Sequence, residues 1–194
     1  GVIDLKNVFV EESSYDGLVF DHAFGSGHWS ESVVGGKHKW TYNNVLSAGE
    51  AHGFFVVFNT TKPGNFTNVV VSGADNTENK TTNDSVEVVE PKFTVEKVTL
   101  TPLVHKNNLT YFQIIVRNVG QIPLTGVFIE ETDYENLTYH SYVDNGEWYP
   151  NFENEYPTFK LAKSIKPNDV ATLIVIFNPT QTGNWTNTVT AGES

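Results

Sequence analysis

The sequence predicts an all-β chain of tandem immunoglobulin-like β-sandwich repeats. Three observations carry that prediction. One five-residue phrase is written twice, apolar residues alternate with a period of 2, and the composition favours strands and turns. "GNFTN" occupies 64–68 and "GNWTN" occupies 183–187, differing only in the aromatic. Such self-similarity at a fixed offset marks a repeated structural unit.

The offset is 119 residues, and it holds across the chain without a gap. "DLKNVFVEESSYDGLVF" (4–20) lies on "PLTGVFIEETDYENLTY" (123–139), and "VVFNTTKPGNFTNVVVSG" (56–73) lies on "VIFNPTQTGNWTNTVTAG" (175–192). Between them Trp29 falls on Trp148, Trp40 on Phe159 and Leu46 on Ile165. The segment 92–122 has no counterpart before residue 1, and "SVEVVEP" (85–91) has none after Ser194. The expected division is therefore a first repeat over 1–91 without its opening strands and a second over 92–194 without its closing one. Gly1, in a chain with no Met, suggests a processed or cloned end and a fragment of something longer. Pro91 is the expected boundary, and the short junction "VEVVEPKFTVEK" predicts a semi-rigid connection.

Within the second repeat, the alternating "FTVEKVTL" (93–100) predicts the first strand and "YFQIIVRN" (111–118) the second. "TGVFIEET" (125–132) and "LTYHSYV" (137–143) follow, divided by "DYEN". The strongly apolar "VATLIVIFN" (170–178) and then "NWTNTVTAG" (184–192) close the unit. The intervening "NNLT", "DNGE", "KPND" and "NPTQTG" supply the Asn, Asp, Gly and Pro that turns need. In the first repeat, the polar "GADNTENKTTNDS" (73–85) predicts a long hairpin loop. No stretch keeps a helical apolar stripe for three turns.

Composition agrees: 13 Phe, 8 Tyr and 4 Trp accompany frequent Val, Thr and Asn, which suits pleated, half-buried surfaces. A net charge of −11, with Arg117 the single arginine, argues against nucleic acid, because phosphate contacts need clustered cations. With no Cys, disulfides, thiolate metal sites and a cysteine nucleophile are excluded. No apolar run approaches a membrane span, so no insertion of this segment is expected. No phosphate loop, nucleophile elbow or zinc helix motif is present, so no enzyme acting on a substrate and no cofactor is expected. Scattered His, such as His28 and His38, have no fixed ligand spacing, and 75–84 lacks a calcium-loop register, so no metal site is expected.

The succession "YFQIIVRNVGQIPLTGVFIEETDYENLTY", "GEW", "IKPNDVATLIVIF", "TGNWTNTVTA" resembles the repeat of long prokaryotic surface proteins. That family is known as domain of unknown function number eleven. Its characteristic portion is V-R-N-V-G-x-x-P-L-T-G-V-x-I-x-E, followed by the Gly-Asn-x-x-Asn strand. The resemblance implies an immunoglobulin-like or prealbumin-like sandwich in an adhesin-like protein of the cell surface or wall, of the type plentiful in methanogenic archaea.

Three polar groups fall where alternation expects hydrophobes. Lys97 shares a face with Phe93 and Val95, Glu131 with Val127 and Ile129, and Asn187 with Trp185 and Val189. Lone buried charges are costly, so such groups shift their pKa or find partners. One reading is a self-formed isopeptide bond, with neutral Lys97 the nucleophile, protonated Glu131 the acid and Asn187 the electrophile. Surface-protein sandwiches of the pilin and adhesin type use this device. Glu12 and Asn68 hold the matching positions of the first repeat. The other reading is a snorkelling Lys97 salt-bridged to Glu131, with Asn187 bonding a turn.

Asn-x-Ser/Thr sequons at Asn59, Asn65, Asn79, Asn83, Asn108, Asn136 and Asn184 would carry sugars in surface loops of an exported glycoprotein. The aromatic stretch 140–157 offers Trp148, Tyr149 and Tyr156 as a ligand platform, or as shared core packing, since Trp148 aligns with Trp29. Three roles fit: a stalk module contacting other repeats of its parent protein, an adhesion module binding another cell's glycan or protein, and a lattice component. Strand edges left without partners predict self-association by strand swapping.

Overall fold

In the computed structural model, which describes residues 1–194, every regular element is a β-strand. The chain divides into two compact units, Gly1–Val89 and Glu90–Ser194, so the division falls two residues before Pro91. Unit 1 contains β1 (Phe9–Ser14), β2 (Leu18–Phe24), β3 (Trp29–Val34), β4 (Lys37–Tyr42), β5 (Phe55–Thr60), β6 (Gly64–Ala74) and β7 (Thr77–Val88). Unit 2 contains β8 (Phe93–Thr99), β9 (Thr110–Asn118), β10 (Phe128–Asp133), β11 (Leu137–Val143), β12 (Trp148–Asn151), β13 (Thr158–Leu161), β14 (Val170–Pro179) and β15 (Thr188–Gly192).

Unit 2 is an antiparallel sandwich of two four-stranded sheets, ordered β12-β13-β10-β15 and β11-β14-β9-β8. Its inner faces follow the alternation of the sequence: Ile114 and Val116 on β9, Leu173, Val175 and Phe177 on β14, and Ile129 with Phe159 from the facing sheet are fully buried. Completely removing such side chains from water stabilises each by roughly 1.5–3 kcal/mol. This makes an immunoglobulin-like core without a disulfide.

Unit 1 repeats this plan with different edges. Its sheets are β3-β4-β1-β6-β7 and the two-stranded β2-β5. The 119-residue offset survives in the hydrogen-bond register. Phe9 faces Thr41 and Val10 faces Trp40, just as Phe128 faces Lys160 and Ile129 faces Phe159. The isolated Leu5–Leu46 bridge returns as Leu124–Ile165. Even the irregularities recur, with a register shift between Glu12 and Ser14 in β1 and between Glu131 and Asp133 in β10. A duplicated register is a stronger sign of a copied unit than a duplicated composition, because a one-residue slip turns every side chain to the other face.

Two expectations are corrected. Residues 73–85 do not form a loop: β6 runs to Ala74 and β7 starts at Thr77, with the turn confined to Asp75–Asn76. Nearly all of β7 is exposed on both faces, so its Thr, Asn and Lys need no apolar alternation while its backbone pairs with β6. The closing strand of unit 2 is shorter than expected, Thr188–Gly192 in place of 184–192. Its counterpart β6 begins at Gly64 because β7 pairs with it from Gly64 onward. No strand lies at that edge of β15.

The V-R-N-V-G stretch also acquires a reason. Asn118 is fully buried at the end of β9. Its Nδ2 donates to the carbonyls of Ile122 and Ile165, both at 2.8 Å, while its Oδ1 accepts from Gly120 N at 2.9 Å. One side chain thereby satisfies three backbone groups where the chain leaves one sheet for the other.

Candidate functional site

Lys97, Glu131 and Asn187 come from β8, from β10 and from the residue before β15, and they meet at one open side of the unit 2 sandwich. β8 is the edge strand of one sheet and β15 the edge strand of the other. Lys97 Nζ is in contact with Asn187 Oδ1 as its hydrogen-bond donor. Asn187 Nδ2 donates to Glu131 Oε2 and, at 3.2 Å, to the backbone carbonyl of Asp133. Lys97 Nζ lies 3.7 Å from Glu131 Oε2 and 5.3 Å from the Phe112 ring centroid. The β-bulge at Glu131–Asp133 sits opposite Thr188–Val189. Bulges re-aim side chains, and this one lies where the carboxyl must reach Asn187.

Burial sets the electrostatics. Glu131 is 0 % exposed and Asn187 7 % exposed. Desolvation pushes the Glu131 carboxyl above its ordinary range, against the opposing pull of Lys97 and the Asn187 hydrogen bond. Desolvation also pulls the Lys97 ammonium down to about 8, with Glu131 acting in the other direction. Both shifts favour moving a proton from lysine to glutamate, leaving an amine with a free lone pair beside a neutral acid. Glu131 Oε1 is buried with no hydrogen-bond partner, an arrangement that an un-ionised carboxyl tolerates far better than a carboxylate. Rotating the Asn187 amide by half a turn exchanges Oδ1 and Nδ2. The carbonyl oxygen then faces Glu131, where a protonated carboxyl donates to it.

The face assignments read from sequence hold for Glu131 and Asn187, but one companion of Lys97 does not follow. Val95 is exposed, whereas Phe93 and Lys97 are half-buried. As an outer strand, β8 covers the core only in part. The matching pair of unit 1 is also together: Asn68 Nδ2 donates to Glu12 Oε2. Glu12 is 1 % exposed, and desolvation raises its pKa against the influence of Asn68 and His38.

The expected aromatic platform is corrected. Trp148 is a core residue whose Nε1 donates to the Thr172 carbonyl at 2.9 Å. Its backbone N is capped by Asp144 Oδ2 at 2.7 Å, so β12 points the indole inward. Tyr156 is half-buried against Tyr134, with ring centroids 5.3 Å apart. Among the three, Tyr149 alone faces solvent, and Phe152 nearby does too. Four of the seven sequons lie on strands and not in the expected loops, and three lie in connections or turns. Asn59, Asn65, Asn79 and Asn83 are exposed on strands β5, β6 and β7, while Asn108 and Asn184 are exposed in connections. Asn136 is half-buried in the turn before β11. Asn118 was missed by sequence reasoning as a structural residue, although its place between an arginine and Val-Gly at a strand end is a signal.

Neither a protein-family model nor a curated protein matches the chain. Among solved structures, it is similar to chitinase ChiA74 from Bacillus thuringiensis, at 14% identity and a TM-score of 0.30 over 97% of this chain and 27% of that one. It is also similar to red sea bream transglutaminase, at 12% identity and a TM-score of 0.32 over 98% of this chain and 27% of that one. The chain spans about a quarter of the length of each. The all-β, immunoglobulin-like sandwich therefore rests on the strand order and register of the chain itself.

Proposed function

We propose that the chain is a load-bearing stalk module of an adhesin-like cell-surface protein, of the repeat family its motifs resemble, and that unit 2 is closed by a Lys97–Asn187 isopeptide bond. The observation that carries this reading is the convergence of Lys97, Glu131 and Asn187 between the first and last strands of unit 2. Glu131 accepts a proton from the Lys97 ammonium, and the Nζ lone pair attacks Asn187 Cγ while the protonated carboxyl polarises the carbonyl. A tetrahedral carbon forms, the Cγ–Nδ2 bond breaks, and Glu131 relays one Nζ proton to the leaving nitrogen. The products are a secondary amide and one ammonia. Proximity in a dry, preorganised site supplies the rate.

The position of the bond suits a girder. Force enters unit 2 through β8 and leaves after β15, and the bond joins the chain at 97 to the chain at 187. Load would pass through the cross-link and bypass the strands between. Exposed sequons and an acidic surface fit an exported, glycosylated wall component.

Single-molecule pulling from both ends of the chain tests this function. Unit 1 unravels and serves as the internal control, while unit 2 gives no long extension. Release of the whole of Glu90–Ser194 would add roughly 350 Å of contour at about 3.3–3.6 Å per residue. A second unfolding step of that size overturns the proposal.

A further inference from the structure

We propose that unit 1 is an acceptor for a lysine-bearing β-hairpin with the chemistry of residues 92–118, and that it joins this hairpin covalently at Asn68. The inference rests on the Lys97–Asn187 chemistry and carries it to a second partner. In unit 2, β8 and β9 pair as an antiparallel hairpin, and β9 lies along β14 with Leu173 opposite Ile114 and Val175 opposite Phe112. In unit 1, the counterpart of β14 is β5, which pairs with β2 alone. Its other edge presents unpaired backbone groups, the feature that recruits an added strand.

The side chains tell the same story. Leu173, Val175 and Phe177 are fully buried in unit 2, whereas their counterparts Phe54, Val56 and Phe58 are only half-buried. These three line a groove of about 610 Å³ in unit 1, and Glu12 and Asn68 line it too. The apolar wall, the free edge and the acid–amide pair thus stand where unit 2 receives Ile114, Val116 and Lys97. The occupant that fits all three is a hairpin with an alternating apolar face and one inward lysine. No lysine of unit 1 contacts the Glu12–Asn68 pair among its side-chain hydrogen bonds and ion pairs. The pair has an acid and an electrophile and lacks only the amine. Raised by burial, the Glu12 carboxyl is disposed to take the incoming ammonium proton. The amine then attacks Asn68 Cγ, the Cγ–Nδ2 bond breaks, and Glu12 passes a proton to the departing nitrogen, which leaves as ammonia.

The test incubates the full chain with a synthetic peptide of residues 92–118. The expected product is a one-to-one adduct with the combined mass less one ammonia, and fragmentation maps the new bond to the peptide lysine at position 97 and to Asn68. The same peptide carrying Lys97→Ala binds reversibly and gives no adduct. A Glu12→Gln chain also retains binding and loses the adduct. The intact mass of the chain alone reports separately on unit 2. If the chain has already lost ammonia at Asn187 and still forms no adduct, this inference fails and the cross-link reading stands. If it has lost none and forms none, both fail. An adduct at another residue overturns the assignment. So does dimerisation with Asn68 unmodified under excess peptide, which would make a second copy the occupant.

Discussion

Replacing Lys97 by Met and Glu131 by Gln in one chain removes both charges of the site while keeping its volume and the hydrogen bond to Asn187. If the site were only a buried ion pair, this exchange would be close to neutral or mildly stabilising, because neutral groups avoid the desolvation penalty. If the site forms a bond, the variant also loses a cross-link between residues 90 positions apart. The chain-entropy relation values such a closure at about 4.6 kcal/mol at 25 °C. At about 4–8 °C per kcal/mol for a domain of this size, that is a fall of roughly 20–35 °C in the Tm of unit 2. Differential scanning calorimetry of both chains reads the shift, and the unit 1 transition serves as an unchanged reference. A double variant whose unit 2 melts within a few degrees of the parent refutes the reasoning, since a site without the bond predicts little change or a small rise and a bonded site predicts a large fall.

Other perturbations separate further parts of the account. Asn118→Ala leaves the Ile122 carbonyl and the Gly120 N–H without partners inside the protein, takes one of two donors from the Ile165 carbonyl, and is expected to cost about 2–4 kcal/mol in denaturant unfolding. Trp148→Ala is expected to cost about 3–5 kcal/mol, as a core truncation does, whereas exposed Tyr149→Ala changes stability by less than about 0.5 kcal/mol; equal effects would contradict the inward placement of the indole. In an Asn187→Ala chain the lysine stays a free amine, with a folded-state pKa of about 8 against an ordinary 10.5. The unfolded state then binds more protons between those values, so stability should rise as pH increases from about 8 to 10.5. The parent, its amine acylated, should lack that rise, and identical pH profiles would count against the bond.

The repeat was legible because the 119-residue offset preserves register, down to the Glu12 and Glu131 bulges. The Lys97–Glu131–Asn187 cluster was legible because alternation marks a polar residue among hydrophobes, and the strand order then brings the three marked residues together. The opposite failure occurs in β7. A strand wet on both faces has no apolar rhythm, so Thr77–Val88 reads as a loop although its backbone pairs with β6 along one edge. Val95 and Trp148 were misplaced for a related reason. How far an edge strand covers the core, and which way a short hairpin turns its aromatic, depend on neighbours far away in sequence. Asn118 escaped because its partners at Ile122 and Ile165 lie in connections with no periodicity of their own.

The most direct test of the cross-linked girder is the intact mass of the folded chain, followed by proteolysis and fragment sequencing. The account predicts a mass below that of the unmodified sequence by one ammonia, and a branched fragment joining the peptide that contains Lys97 to the one that contains Asn187. A chain weighing what its 194 residues dictate, with those two peptides recovered separately, contradicts it.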